Sequence, residues 1–296
     1  MSFNFSKVGE TAATVVGGAL DKKKLYLDKD CTDDDYVKSF TKIELPKESK
    51  FQQMPRSDFN SEVYYITGSR GSGKSWYTEK LIEQIRSVHK DYPIYVISPL
   101  DDNYNQFKNM KRVIIDETLI TDPISYKEFA NSIVVFDDIE AITNNKILNS
   151  LMETMKEIVF VGRHANIQCF YISHIACNGP KTKAILKETN SITCFPSSFD
   201  CTTGYLMKSY FGLTTNEIEF VLSHNSRFCT YYKLAPNYLI FENEIYTKKE
   251  FYKLANDYVR KKNVERKALE KNEMMIKMNE LKGIKTEPKN TKKTKK

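Results

Sequence analysis

The sequence predicts an α/β fold with a mainly parallel central sheet, helices on both faces, a charged C-terminal helix and a basic tail. Three observations carry this. A glycine-rich run, Gly68-Ser69-Arg70-Gly71-Ser72-Gly73-Lys74-Ser75, lies between an apolar run and a helical pattern. From residue 63 onward, short apolar stretches rich in Val, Ile, Tyr and Phe alternate with helical ones, as buried parallel strands and their crossovers do. Beyond residue 246 the pattern becomes one long charged helix that ends in Lys, Thr, Pro and Asn.

Composition bounds the reading. A chain of 296 residues, 41% hydrophobic and 28% charged, suits one large soluble α/β domain with appendages or two small domains. No apolar run approaches the ~20 residues of a membrane helix, and Ala12 to Leu20 is short and holds two glycines. Met1-Ser2-Phe3-Asn4-Phe5 lacks the basic and apolar regions of a signal peptide, so neither secretion nor a membrane partner is expected. The six cysteines form no C-x-x-C pair and are expected as free thiols, and the four histidines have no zinc-ligand spacing. Residues 260–296 carry 14 basic and 5 acidic residues, or +9 against +7 for the whole chain, so the remainder is about −2.

Taken in order, residues 1–50 show weak periodicity, an acidic patch at Asp33-Asp34-Asp35 and Lys-rich segments, and read as a solvated leader packed on the core's edge. Residues 51–246 form the main domain. Its expected strands are Val63 to Thr67, Ile94 to Ser98, Val113 to Ile115, Ile133 to Phe136, Gln168 to Ser173 and Ser191 to Cys194. Helices are expected at about 74–89, 146–159 and 181–189, with further helical stretches at Tyr205 to Phe211 and Asn216 to Leu222. Phe228 to Leu234 and Tyr238 to Phe241 flank Ala235-Pro236-Asn237 as a strand pair around a turn. The charged helix occupies 247–282, and 283–296 has almost nothing to bury, which predicts a disordered tail.

The glycine-rich run fits G-x-x-x-x-G-K-[ST] at every fixed position, with the strand before it and the helix after it that the motif requires. Gly68, Gly71 and Gly73 let the backbone turn its N–H groups inward, with Ser69, Arg70 and Ser72 between them, and the helix N-terminus favours an anion. Lys74 is placed to reach the β- and γ-phosphates of ATP, and the Ser75 hydroxyl to hold Mg²⁺. Arg70, inside the loop, is a candidate for acting on the γ-phosphate in cis. The apolar run Ile133-Val134-Val135-Phe136 ends in Asp137-Asp138. Asp137 is the candidate Mg²⁺ residue, Asp138 the candidate for polarising the attacking water, and Glu140 its reserve. A third segment, Gly162-Arg163-His164 through Ser173-His174, is a turn followed by a strand whose polar end would lie beside Asp137. Ser173 and His174 are candidates for sensing the γ-phosphate or positioning water; a surface or packed histidine making one hydrogen bond is the plain alternative for His174.

In their order and spacing these Walker A, Walker B and sensor-like segments resemble the FtsK/HerA superfamily of P-loop ATPases, and within it the poxvirus-type genome-packaging ATPases of large DNA viruses and their satellites. Lys187-Glu188-Thr189-Asn190 and Ser197-Ser198 add to the resemblance, which covers about residues 50–245. Family members commonly carry Gln where this chain has His174, and Asp-Glu where it has Asp137-Asp138. The resemblance implies a RecA-like core, an ATPase of DNA-translocating type, and a homo-oligomeric ring acting on double-stranded DNA without sequence readout. It also implies a capsid or nuclease partner and a place in the host cytoplasm, a viral factory or the virion. A ring needs an arginine donated by a neighbour, and Arg163 and Arg227 are the candidates. The Lys-rich tail suits DNA or capsid contact as well as solubilisation. The rival reading is a P-loop protein that uses nucleotide as an assembly switch with little turnover. A kinase would need an acceptor pocket and a lid, and the sequence supports neither.

Overall fold

The computed structural model describes residues 2–28, 40–57, 59–101 and 103–281. The acidic patch at 33–35, Cys31 and the basic tail lie outside the described residues. The chain runs β1 (Ser2–Asn4), β2 (Glu10–Val16), β3 (Lys24–Asp28), β4 (Lys42–Glu44), β5 (Lys50–Gln53), β6 (Val63–Thr67), α1 (Lys74–Val88), β7 (Ile94–Ile97), β8 (Met110–Arg112) and α2 (Thr118–Thr121). It continues through β9 (Ile133–Asp137), α3 (Asn145–Val161), β10 (Gln168–Ser173), α4 (Gly179–Glu188), β11 (Ser191–Cys194), α5 (Cys201–Leu206) and α6 (Thr215–Ser223). Three more strands, β12 (Cys229–Tyr232), β13 (Tyr238–Ile240) and β14 (Glu244–Thr247), precede the long α7 (Lys248–Leu281).

Ten strands form the main sheet in the order β4-β14-β13-β12-β11-β6-β10-β9-β7-β8. From β11 to β8 the pairs are parallel, and from β11 back to β4 they are antiparallel. The central strands are apolar on both faces because both faces are covered. Val63 and Tyr65, Val134 and Phe136, and Cys169 and Tyr171 join one core with α3, α4 and α6. Tyr64 and Ile66, Ile133 and Val135, and Phe170 and Ile172 join the other with α1. Helix α1 buries Tyr77, Thr78, Leu81, Ile82 and Ile85, a one-sided stripe at helical spacing. The ends of α6 and α3 are fixed locally, by the Thr214 and Glu217 capping box and by Asn144, whose side chain accepts from the Lys146 N–H at 3.0 Å.

The N-terminal residues differ from the expected solvated leader. Strands β1, β3, β2 and β5 form a second, antiparallel sheet, and Phe3, Ala12, Ala13, Val15, Leu25 and Leu27 are buried in the same core as α1. This sheet joins α1 in covering that face of the main sheet. Strand β4 leaves it to pair with β14. The Tyr77 hydroxyl ties the layers together, donating to Gln53 Oε1 at 2.9 Å and lying 2.8 Å from Thr230 Oγ1.

Two smaller expectations also shift. The strand expected at 113–115 lies at 110–112, because Ile114 faces solvent at 76% exposure and only the Val113 N–H still reaches Val96 O. The helix expected from Tyr205 begins at Cys201, since Asp200 caps it by accepting from the Thr203 N–H at 2.7 Å. It passes into a π-helical stretch over Met207–Phe211 and stops at Gly212, whose φ is 70°. Cys169, Cys177, Cys194, Cys201 and Cys229 are free thiols.

Because Phe51 belongs to the shared core, Phe51→Ala is expected to lower global stability by about 3–5 kcal/mol while leaving one cooperative urea transition. Two separated transitions would show that the small sheet folds apart from the rest.

Candidate active site

The loop Gly68 to Gly73 leaves the C-terminal end of β6, the strand flanked by β10 and β11. Gly71 and Gly73 have φ of 76° and 105°, backbone that other residues rarely adopt. Gly68 is required by space instead: a Cβ there would stand 2.7 Å from Ser72 Oγ and 2.8 Å from the Phe195 ring. Helix α1 starts at Lys74 with no side-chain cap, so its first N–H groups remain for an anion. Ser69 Oγ lies 2.8 Å from Ser198 Oγ, which ties the loop to the segment after β11. Ser75 is half-buried in the first turn, and Arg70 is exposed in the loop.

Register sets the other side of the site. Ser173 pairs with Thr67, and Ile172 with Asp137, so the ends of β6, β10 and β9 lie level. Lys74 Nζ donates to Gly68 O at 2.9 Å and Ser69 O at 3.2 Å, and lies 3.0 Å from His174 Nδ1. His174 Nε2 lies 3.0 Å from Asp138 Oδ2. An ammonium group only donates, so Nδ1 is the accepting nitrogen and Nε2 carries the proton given to Asp138. The sequence candidates Lys74, His174 and Asp138 thus form one continuous chain of hydrogen bonds.

Asp138 has φ 51°, left-handed backbone that costs a residue with a Cβ, and its N–H reaches Ile172 O at 3.3 Å. Among the described residues its Oδ1 is buried with no hydrogen-bond partner, as are Ser72 Oγ and Thr67 Oγ1. Three orphaned polar atoms around one loop fit a polar ligand and a cation. Asp137 is buried, and its Oδ2 accepts from Asn103 Nδ2 at 3.0 Å and Tyr104 OH at 3.1 Å. Burial, then the adjacent Asp138 charge, raises Asp137 above the usual carboxylate range, against the pull of Asn103, Tyr104 and Lys74. Burial lowers Lys74 below the usual lysine range, against the attraction of Asp138, Asp137 and Glu140. Glu140 is engaged: its Oε1 accepts from Tyr171 OH at 2.5 Å and Ser173 Oγ at 2.7 Å. Of the two candidates for handling water, Glu140 thus has Oε1 committed to two hydroxyls, while Asp138 keeps a buried Oδ1 without a partner among the described residues.

The two arginines lie apart. Arg163 is exposed in the turn before β10, at the end of that strand remote from the loop, with Nε 3.4 Å from His164 Nε2. Arg227 lies beside its own loop, 3.1 Å from where a Gly73 Cβ would stand, with Cζ 5.0 Å from the Trp76 ring centroid. Sequence reasoning missed Asn103, Tyr104 and Arg112. Arg112 donates to Leu100 O at 2.8 Å, Asp101 O at 2.7 Å, Asn103 O at 2.5 Å and Asn105 Oδ1 at 3.2 Å, clamping the loop that carries Asn103 and Tyr104 to Asp137. No local pattern marks these residues; their role depends on a loop meeting a strand more than thirty positions later.

Arg112→Ala is expected to weaken Mg²⁺-dependent nucleotide binding by about tenfold, roughly the 1–3 kcal/mol that follows when a charged donor is removed and its partners are left unpaired, with global stability little changed. Unaltered Mg²⁺ titrations would show that the clamp does not position Asp137.

The RNA helicase family description matches residues 64–131, a stretch holding the phosphate loop, α1, β7 and β8. The chain is 28% identical over 250 residues to "Uncharacterized protein V3" of Sputnik virophage, covering 81% of this chain and 96% of that protein. Among solved structures it is similar to the genome packaging NTPase B204 of Sulfolobus turreted icosahedral virus 2, seen with ATP-gammaS, at 14% identity over 58% of this chain and 92% of that one, with a TM-score of 0.43. It is also similar to the pCW3 conjugation coupling protein TcpA, at 12% identity over 85% and 82% of the two chains, with a TM-score of 0.45. The parallel strand order β11-β6-β10-β9-β7, with a glycine loop and helix after its β6 strand, makes this a P-loop NTPase fold.

Proposed function

We propose that the chain is an ATP-hydrolysing motor, working as a homo-oligomeric ring that moves double-stranded DNA into a viral capsid. The observation that supports this most is the unbroken path from Lys74 through His174 to Asp138, which links the phosphate-binding loop to the carboxylate beside the reacting group. The loop N–H groups would take the phosphates, and Lys74 would exchange its Gly68 and Ser69 carbonyls for phosphate oxygens. That exchange draws Nζ away from His174 Nδ1 and alters what holds Asp138. Asp138 Oδ1, which has no partner among the described residues, would accept the proton of the attacking water. Ser75 and Asp137 would hold Mg²⁺, whose charge offsets that of the phosphates.

Arg163, exposed and remote from its own loop, is the residue available to a neighbouring copy. The order of the motifs and the +9 charge of residues 260–296 support a DNA-handling role over nucleotide binding alone. A nuclease or capsid protein would be the natural partner of such a motor, and its place the viral factory, host cytoplasm or virion. Among the described residues no helix is long and apolar enough to cross a membrane.

The purified chain is expected to hydrolyse ATP faster with double-stranded DNA, and Lys74→Ala or Asp138→Asn to lower turnover by about 10²-fold or more. Nucleotide binding with negligible turnover, unaffected by DNA, would point instead to the assembly switch. In rings made wholly of Arg163→Ala subunits, turnover is expected to fall by about 10³-fold; full activity would remove Arg163 from the interface role.

A further inference from the structure

We propose that Trp76 and Arg227 form the base end of the nucleotide site, a stacking platform that takes any purine. The inference rests on the nucleotide reading above and follows from the sheet order. Strands β10 and β9, with Ser173, His174, Asp137 and Asp138 at their ends, lie on one side of β6, and β11 lies on the other. A triphosphate whose terminal phosphate meets Lys74 and Asp138 therefore runs its sugar and base toward the β11 side of the loop.

That side is where Trp76 and Arg227 stand. Trp76 sits in the first turn of α1 with 40% of its surface exposed. The Arg227 guanidinium packs over its ring at 5.0 Å and reaches the flank of Gly73. Arg227 is held in place by its own backbone, whose N–H donates to Glu242 Oε2 at 2.9 Å, and by the next residue, Phe228, whose ring packs on Tyr77 at 4.8 Å. Among the described residues the guanidinium has no carboxylate within ion-pair distance, so its charge remains for a ligand. With one face of the indole against the guanidinium, the exposed part of the ring and the outer face of the planar cation are the surfaces on which a purine stacks. Stacking reads the face of a base and not its edge, so adenine and guanine should be held alike. Arg227 accordingly acts within its own subunit, and Arg163 is left as the arginine for a neighbour.

Trp76 is the only tryptophan in the chain, so its emission reports the base end directly. The full chain would be titrated with Mg-ATP, Mg-GTP and Mg-tripolyphosphate, following Trp76 fluorescence and, in parallel, heat. The expected result is saturable quenching by ATP and GTP at concentrations within about threefold of each other, and none by tripolyphosphate although it binds. Trp76→Ala should weaken ATP about tenfold, in line with base–aromatic stacking, and tripolyphosphate less than twofold, with Trp76→Phe largely restoring ATP. Calorimetric ATP binding with unchanged Trp76 emission, or equal ATP affinity in Trp76→Ala, would overturn the platform and leave the nucleotide site standing. Absence of binding by all three would remove both.

Discussion

The structure depends on where β10 is inserted. By pairing with β6 on one edge and β9 on the other, it brings Thr67, Ser173 and Asp137 to one level at the carboxyl end of the sheet. A one-residue slip in either pairing would turn every side chain of β10 to the opposite face and exchange the two cores. The burial of Cys169 and Tyr171 on one face, and of Phe170 and Ile172 on the other, guards against that slip. The apolar middle of the strand therefore fixes the position of its polar end.

Around that end, charge is arranged by opposition. Asp137, Asp138 and Glu140 lie close together, burial disfavours the ionised form of Asp137, and nearby Lys74 is itself partly desolvated. Each carboxylate is handled differently: among the described residues Asp137 is held by Asn103 and Tyr104, Glu140 by Tyr171 and Ser173, and Asp138 by His174. The least supported of the three also sits in left-handed backbone. Such a group is the one most easily moved when its surroundings change.

Local patterns were the readable part of the sequence. The bounds of β6, β10 and β11 follow from short, continuous apolar runs, and the loop and Asp137-Asp138 are visible because their chemistry lies in consecutive residues. The small sheet escaped because β2 pairs with β3 and with β5, two partners separated in sequence, and its register shifts between Thr11 and Ala13. That irregularity breaks the alternation by which a strand is recognised. Asn103, Tyr104 and Arg112 escaped for the same reason, since each gains its meaning from a partner the chain brings close only on folding.

The main sheet begins and ends in three-residue strands, β4 and β8. Each offers few unpaired backbone groups, and each carries charge, Lys42 and Glu44 at one border and Lys111 and Arg112 at the other. Short charged borders resist the joining of one sheet to the next. Neither border of the main sheet is therefore a ready template on which a second copy of the chain could extend it into a continuous ribbon.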